Sequence, residues 1–330
     1  MPILVTGGAG YIGSHTVKQL CRAKESVVVL DNLSTGIREA IPPEVKFYEG
    51  STGDLDLVDS IIKKNQIEEV IHFAADIVVP ESISNPLKYY QNNTACTLNL
   101  LENIQKNQIK NFIFSSTAAV YGDVKSAKKI TEDFPLDPIN PYGRSKLFVE
   151  QILKDLVTSQ RGSFNFVALR YFNVAGASPD GDIGQSTPNA THLIKVGSQA
   201  VLGKREKLSV FGTDYPTPDG TCVRDYIHVD DLADAHLASL EYLRNGGSSE
   251  IFNCGYGKGF SVNEIIRTLK EVSEFDFTVE PTDRRPGDPP SLVADNSKIQ
   301  RLTSWRPKRD NIETICKSAL NWEKTLSSRQ

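Results

Sequence analysis

The chain opens on a short apolar run, Ile3-Leu-Val5, that passes at once into Thr6-Gly-Gly-Ala-Gly-Tyr-Ile-Gly13. No other stretch constrains the fold as strongly. A strand that ends in Gly7-x-x-Gly10-x-x-Gly13 and leads into a helix places bare backbone where a helix N-terminus faces a ligand. The glycines permit a tight turn, close approach to a pyrophosphate and close helix–strand packing. The next apolar run, 27–30, ends at Asp31, eighteen residues after Gly13. A carboxylate there accepts from both adenosine ribose hydroxyls and repels a 2′-phosphate, so the pattern favours NAD over NADP.

Apolar runs recur at 45–48, 70–74, 111–115 and 166–170, each the length of a strand buried on both faces. Amphipathic stretches at 12–23, 55–64, 87–106 and 141–158 lie between them. This alternation predicts an α/β fold with a doubly wound parallel sheet, a Rossmann-type NAD domain over residues 1–174. After Asn173 the texture becomes rich in Gly, Pro, Asp, Ser and Thr. Helices are expected at 192–202, 230–243 (opened by Asp230), 261–272 and 312–326, strands at 224–229 and 251–254, and a loop at 286–290. Ser261-Val-Asn-Glu264 matches a capping box. These elements predict a smaller mixed α/β lobe over 175–330, with parts of about 223–256 returning to pack on the NAD domain.

Composition narrows the function classes. The 330 residues suffice for a large core, so no disulfide or metal staple is needed. Lys and Arg number 37 against 41 Asp and Glu, a net charge of −4 that argues against a phosphate-tracking nucleic-acid surface. Five widely spaced cysteines without a CxxC pair fit free thiols in a reducing, cytoplasmic compartment. No signal peptide is expected, because apolar sequence begins at Ile3 with no charged region before it. No apolar stretch is long enough to span a membrane.

Tyr142-Gly-Arg-Ser-Lys146 places a phenol and an ammonium on one helix face. The ammonium favours the phenolate, and a positively charged nicotinamide would act in the same direction. Upstream, the run 111–115 ends in Ser115-Ser-Thr117, hydroxyls at the carboxyl end of a strand, where open α/β sheets bind ligands. Thr117 is the expected second hydrogen-bonding group on the reacting oxygen.

At these residues the sequence resembles the extended short-chain dehydrogenase/reductase family, and within it the nucleotide-sugar 4-epimerases. The segments Thr6–His15, Asp31-Asn-Leu33, Ile71-His-Phe73, Phe112–Gly122, Arg170-Tyr-Phe-Asn-Val-Ala-Gly176, Phe211–Tyr215, Asp219–Val229 and Arg284–Asp288 carry the likeness. The resemblance implies reversible C4 epimerisation of UDP-galactose and UDP-glucose through a 4-keto intermediate, in galactose metabolism. It implies that Tyr142 is the acid and base, that Lys146 holds the nicotinamide ribose and that Thr117 binds the sugar 4-oxygen. It places NAD against Gly7, Gly10, Tyr11, Ile12, Gly13, Asp31, Asn32, Ser51, Phe73, Ala74, Ala75, Asn92, Lys146 and Tyr171. Asn173, Arg224 and Arg285 would hold the UDP pyrophosphate and Asp288 the uridine ribose. His192, Leu193 and Phe211 would border the uracil and the sugar pocket. No metal is implied.

Four positions depart from the family pattern. Ser51 stands where an acid usually receives the adenine amino group. Ile77 replaces a lysine found near the cofactor in some members, and His192 an asparagine. Leu292 stands where many bacterial members carry Tyr and animal ones Cys, beside the sugar 2-substituent. A 4,6-dehydratase would need an acid and a base after Thr117, where this chain has Ala118 and Ala119. A sibling epimerase for UDP-N-acetylhexosamine, UDP-pentose or UDP-hexuronate and a non-catalytic NAD-binding protein are the remaining readings. Apolar stripes on 87–106 (Leu98, Leu101) and 141–158 (Leu147, Ile152, Leu156) would pair two copies through a four-helix interface, as the family implies, giving a homodimer.

Overall fold

The computed structural model describes residues 1–124, 129–160, 162–187, 190–285 and 288–328. Pro286 and Gly287 of the expected loop lie outside the described residues. In chain order, β1 (Ile3–Thr6) leads into α1 (Tyr11–Arg22), and β2 (Val27–Asp31) is followed by β3 (Lys46–Glu49) and α2 (Leu55–Asn65). β4 (Glu69–His72) precedes α3 (Val79–Ser84), α4 (Pro86–Tyr89) and α5 (Cys96–Lys106). Then come β5 (Asn111–Ser115), α6 (Pro141–Gln160) and β6 (Asn165–Tyr171). Beyond these lie β7 (Asn173–Ala175), α7 (Leu193–Val201), β8 (Leu208–Phe211), β9 (Val223–His228), α8 (Val229–Arg244) and β10 (Glu250–Cys254). β11 (Gly259–Ser261), α9 (Val262–Ser273), β12 (Val279–Thr282), β13 (Ser291–Leu292), α10 (Ser297–Leu302) and α11 (Ile312–Ser328) complete the order.

Seven parallel strands form one sheet in the order β10-β6-β5-β4-β1-β2-β3. Side chains alternate across it, as a two-residue period requires. Ile3, Val5, Val27 and Val29 face α1 and α8, while Leu4, Val28 and Leu30 face α2, α5 and α6. The apolar stripe of α1 (Val17, Leu20) packs into the first layer, and those of α2 (Val58, Ile61) and α6 (Val149, Leu153) into the second. The expected doubly buried run at 45–48 is instead β3, whose ends Lys46 and Glu49 are exposed. It is the sheet edge, so charged ends keep its open side in water.

Three other expectations change. The helix over 87–106 is interrupted, because a six-residue π segment, Tyr90–Ala95, separates α4 from α5. α8 begins at Val229, capped by the His228 imidazole rather than by Asp230: His228 Nδ1 accepts from the Asp230 N–H at 3.1 Å. The apolar stripes are also divided. Leu101 and Leu147 are buried inside, and Ile152 and Leu156 pack against the core, whereas Leu98 is exposed together with Ile83, Leu87 and Phe148. The capping box at Ser261 and Glu264 is formed in both directions.

β9 organises a second, smaller sheet. Its first half lies between antiparallel β11 and parallel β13, and its second half pairs with β7. β8 and β12 pair separately, in parallel.

Candidate active site

The N-terminus of α1 has no side-chain cap, so the amides after Gly10 are free to meet an anion. Gly7 has φ +69°, and a Cβ there would lie 2.5 Å from the Ala74 nitrogen at the end of β4. Backbone therefore approaches backbone where a flat ligand would pass. At the end of β2 the Asp31 carboxylate is buried and accepts from the Ala9 N–H (2.9 Å) and the Leu33 N–H (2.8 Å). Burial pushes its pKa up, with these amides opposing the shift. A cavity of about 250 Å³ opens beside this loop, lined by Ala9, Gly10, Tyr11 and Ser14 opposite Ile183, Gly184 and Trp322. An uncapped helix end, a bare turn and a held carboxylate at one sheet edge fit a dinucleotide such as NAD. A second cavity, about 310 Å³ among Val27, Lys46 and Asn65, lies at the amino ends of β2 and β3, away from this edge.

The other expected cofactor residues divide along the same edge. Asn32 is exposed, and its Oδ1 accepts from the Ser34 N–H at 3.1 Å. The Ser51 Oγ accepts from the Gly53 N–H at 3.0 Å. Tyr11 donates to the Gly176 carbonyl at 2.6 Å, which ties α1 to the end of β7. Asn92 donates to Asp76 Oδ2 at 3.0 Å. The Phe73 ring rests 4.6 Å from the buried His236 ring. Ile77, at the lysine position, is 45% exposed and offers no charge.

Tyr142 and Lys146 lie in the first two turns of α6 and are buried. The Tyr142 phenol lies by the Thr117 side chain, which favours its ionised form. Thr117 also caps the turn Ala118–Tyr121, its Oγ1 accepting from the Ala119 N–H at 3.1 Å. Lys146 Nζ donates to the Ser115 carbonyl at 2.8 Å. The Ser115 hydroxyl is 2.5 Å from that of Tyr171. Burial dominates the ionisation of both groups in the polypeptide. It raises the Tyr142 pKa, opposed by the Thr117 hydrogen bond, and pulls Lys146 down to about 7. The expected lowering of Tyr142 by Lys146 is thus not the leading influence: the ammonium is directed at a backbone carbonyl, and its own charge is costly where it sits.

The expected phosphate and uridine residues gather around β9. The Arg224 guanidinium lies 3.5 Å from Asp288, and the Asp288 N–H donates to the Arg285 carbonyl at 3.3 Å. Arg285 stacks over Phe211, 3.7 Å from the ring centre. Leu292 in β13 pairs in register with Arg224, and its side chain packs on the apolar group containing Ala118 and Leu147. Asn173 pairs with Tyr226 two positions along β9. His192 and Leu193 open α7, with the Gln185 amide 2.7 Å from His192 Nδ1.

Several residues with a visible structural task carried no expected role. The buried Asn93 of the π segment accepts from the Asp76 N–H and donates to the Asp76 carbonyl and to Ser145 Oγ. Ser145 in turn donates to the Tyr142 carbonyl at 2.7 Å. Glu150 and Arg170 form a fully buried ion pair behind Tyr142 and Lys146. The spacing 142, 146, 150 was the available signal, since three such positions share one face.

Comparison with known proteins gives four findings. The profile of the NAD dependent epimerase/dehydratase family matches residues 3–255. A UDP-glucose 4-epimerase of Azospirillum brasilense is 54% identical over 324 residues, covering 98% of this chain and 92% of that protein. Among solved structures, the UDP-Glc/GlcNAc 4-epimerase of Campylobacter jejuni is 51% identical with TM-score 0.86, covering 98% of this chain and 99% of that one. The UDP-glucose 4-epimerase of Bifidobacterium longum, solved with NAD+ and UDP, is 37% identical with TM-score 0.93, covering 98% of each chain.

Proposed function

The chain belongs to the NAD dependent epimerase/dehydratase family, and from that premise we infer that it is an NAD-dependent isomerase that inverts C4 of UDP-hexoses. It interconverts UDP-galactose and UDP-glucose through a 4-keto sugar. NAD, when bound, supplies the reversible two-electron oxidant for C4. The residues that would hold it are the amides after Gly10, Asp31 and Lys146.

The chain's own groups do the rest. Tyr142 takes the proton of the 4-hydroxyl and returns it to the 4-oxygen once the sugar has turned to present its other face. Thr117 shares the reacting oxygen. Arg224 and Arg285 neutralise the pyrophosphate with forked donors, and Asp288 takes the uridine ribose. Binding energy is thereby concentrated on the UDP end, which lets the sugar rotate without leaving. Residues 1–174 hold the cofactor and 175–330 the UDP-sugar, with 223–256 returning to the first body. The observation that carries the reading is the gathering of the buried Tyr142, Thr117 and Lys146 at the carboxyl end of β5, with Lys146 held on the Ser115 carbonyl.

The exposed Ile83, Leu87, Leu98 and Phe148 on α3 to α6 support pairing with a second copy through this helical face. Five free cysteines support a reducing, cytoplasmic setting. Among the described residues, no helix is long and apolar enough to cross a membrane. Conversion of UDP-galactose to UDP-glucose without added cofactor tests the function. No turnover even with NAD supplied would leave a binding protein instead.

A further inference from the structure

Glu150 lies one turn beyond Lys146 and two beyond Tyr142 on α6, and it is fully buried. Its carboxylate takes three donors. Ser116 Oγ donates to Oε1 at 2.5 Å, Arg170 Nε to Oε1 at 2.9 Å, and Arg170 Nη2 to Oε2 at 2.6 Å. The remaining Arg170 nitrogen, Nη1, donates to Tyr121 Oη at 3.0 Å and to the Glu132 carbonyl at 3.2 Å. Tyr121 then donates to Asn253 Oδ1 at 2.6 Å. Neither charge is left without partners.

The chain neighbours of these groups are the reaction's own residues. Ser116 precedes Thr117, and Arg170 precedes Tyr171. Tyr171 holds Ser115, whose carbonyl takes Lys146. One carboxylate on the catalytic helix therefore grips the ends of β5 and β6 at once. A buried ion pair is a poor source of stability, because desolvation offsets its attraction and apolar isosteres often do as well. A fully satisfied forked pair does define one geometry. Reacting groups misplaced by about 1 Å can lose about a hundredfold in rate.

We propose that Glu150 and Arg170 are positioning residues that set the rotation and height of α6, so that the Tyr142 phenol meets Thr117. The proposal rests on the roles given above to Tyr142 and Thr117. The test uses the purified holoenzyme, with wild type and Tyr142→Phe in parallel, and three variants: Glu150→Gln, Arg170→Lys and the apolar pair Glu150→Leu with Arg170→Met. Melting temperature, bound NAD, kcat, KM for UDP-galactose and the pH profile of kcat are measured.

Folded variants should keep NAD and a near wild-type KM, while kcat falls by about tenfold or more. The acid limb of their kcat profile should move to higher pH, because the Thr117 hydrogen bond that lowers the Tyr142 pKa is weakened. Wild-type kcat and pH profile in any folded variant that breaks the pair would overturn the proposal. Failure of all three to fold would also overturn it, by making the pair a stability element. Full activity in Tyr142→Phe, or none in wild type, would instead remove the functional reading itself.

Discussion

Replacing Thr117 by valine removes one hydroxyl and keeps the side-chain volume. That hydroxyl touches two things: the Tyr142 phenol and the Ala119 N–H that it caps. Losing a hydrogen bond to a charged group, here the ionised phenol that takes the proton, costs about 1.5–3 kcal/mol. At 1.36 kcal/mol per decade this lowers kcat about ten- to a hundredfold. The same energy raises the Tyr142 pKa by about one to two units, since the bond favours the ionised form. The lost cap costs about 1 kcal/mol of stability. UDP-galactose turnover measured against pH separates the effects. The kcat profile should shift towards alkali with a reduced plateau, while the melting temperature falls only slightly. An unchanged acid limb, or kcat within about twofold of wild type, would refute the assignment of Thr117 to the reacting oxygen.

Asp31→Ser should weaken NAD binding and narrow its preference over NADP, as titration of the cofactor-stripped protein with both nucleotides would reveal. Because Leu292 packs beside Ala118, wild type should turn over UDP-N-acetylgalactosamine and Leu292→Tyr should lose that sugar while keeping UDP-galactose; refusal of the N-acetylated sugar by wild type would contradict this. Phe148→Glu, at an exposed aromatic on the helical face, should shift sedimentation towards the monomer. Stability should fall on acidification below about pH 6. Burial depresses His72 to about 3 and both His228 and His236 to about 4, so the unfolded chain takes up protons first as pH falls from about 6.5. Asp225, raised to about 6, opposes them. Denaturant unfolding at several pH values would check the fall.

The cofactor edge was legible because its geometry is local. A glycine turn between a strand and a helix, and an acid at the next strand end, are determined by residues close in sequence. The pairing of Tyr142 with Lys146 was legible for the same reason. The electrostatics were not, because burial comes from the whole fold: the local view put Lys146 to work on Tyr142, whereas its Nζ faces the Ser115 carbonyl. The break in 87–106 was equally hidden. Its apolar spacing reads as one helix, and only the contacts of Asn93 with Asp76 and Ser145 give the π segment a reason. Arg170 read as strand sequence, since nothing nearby announces a partner twenty residues away on another element.

The register of β10 beside β6 has an evolutionary corollary. The two strands run parallel, so the chain leaves the sheet at Tyr171, builds β7, α7, β8 and β9 beyond its carboxyl edge, and returns through α8 to enter β10 at Glu250. The returning limb is held firmly, because α8 packs with α1 into the apolar layer on one face of the sheet. The stretch between β7 and β9, residues 176–222, can change length or lining while the floor that carries Thr117, Tyr142 and Lys146 stays put. New sugar preferences can then arise by revising an insertion, with no need to rebuild the machinery beneath it.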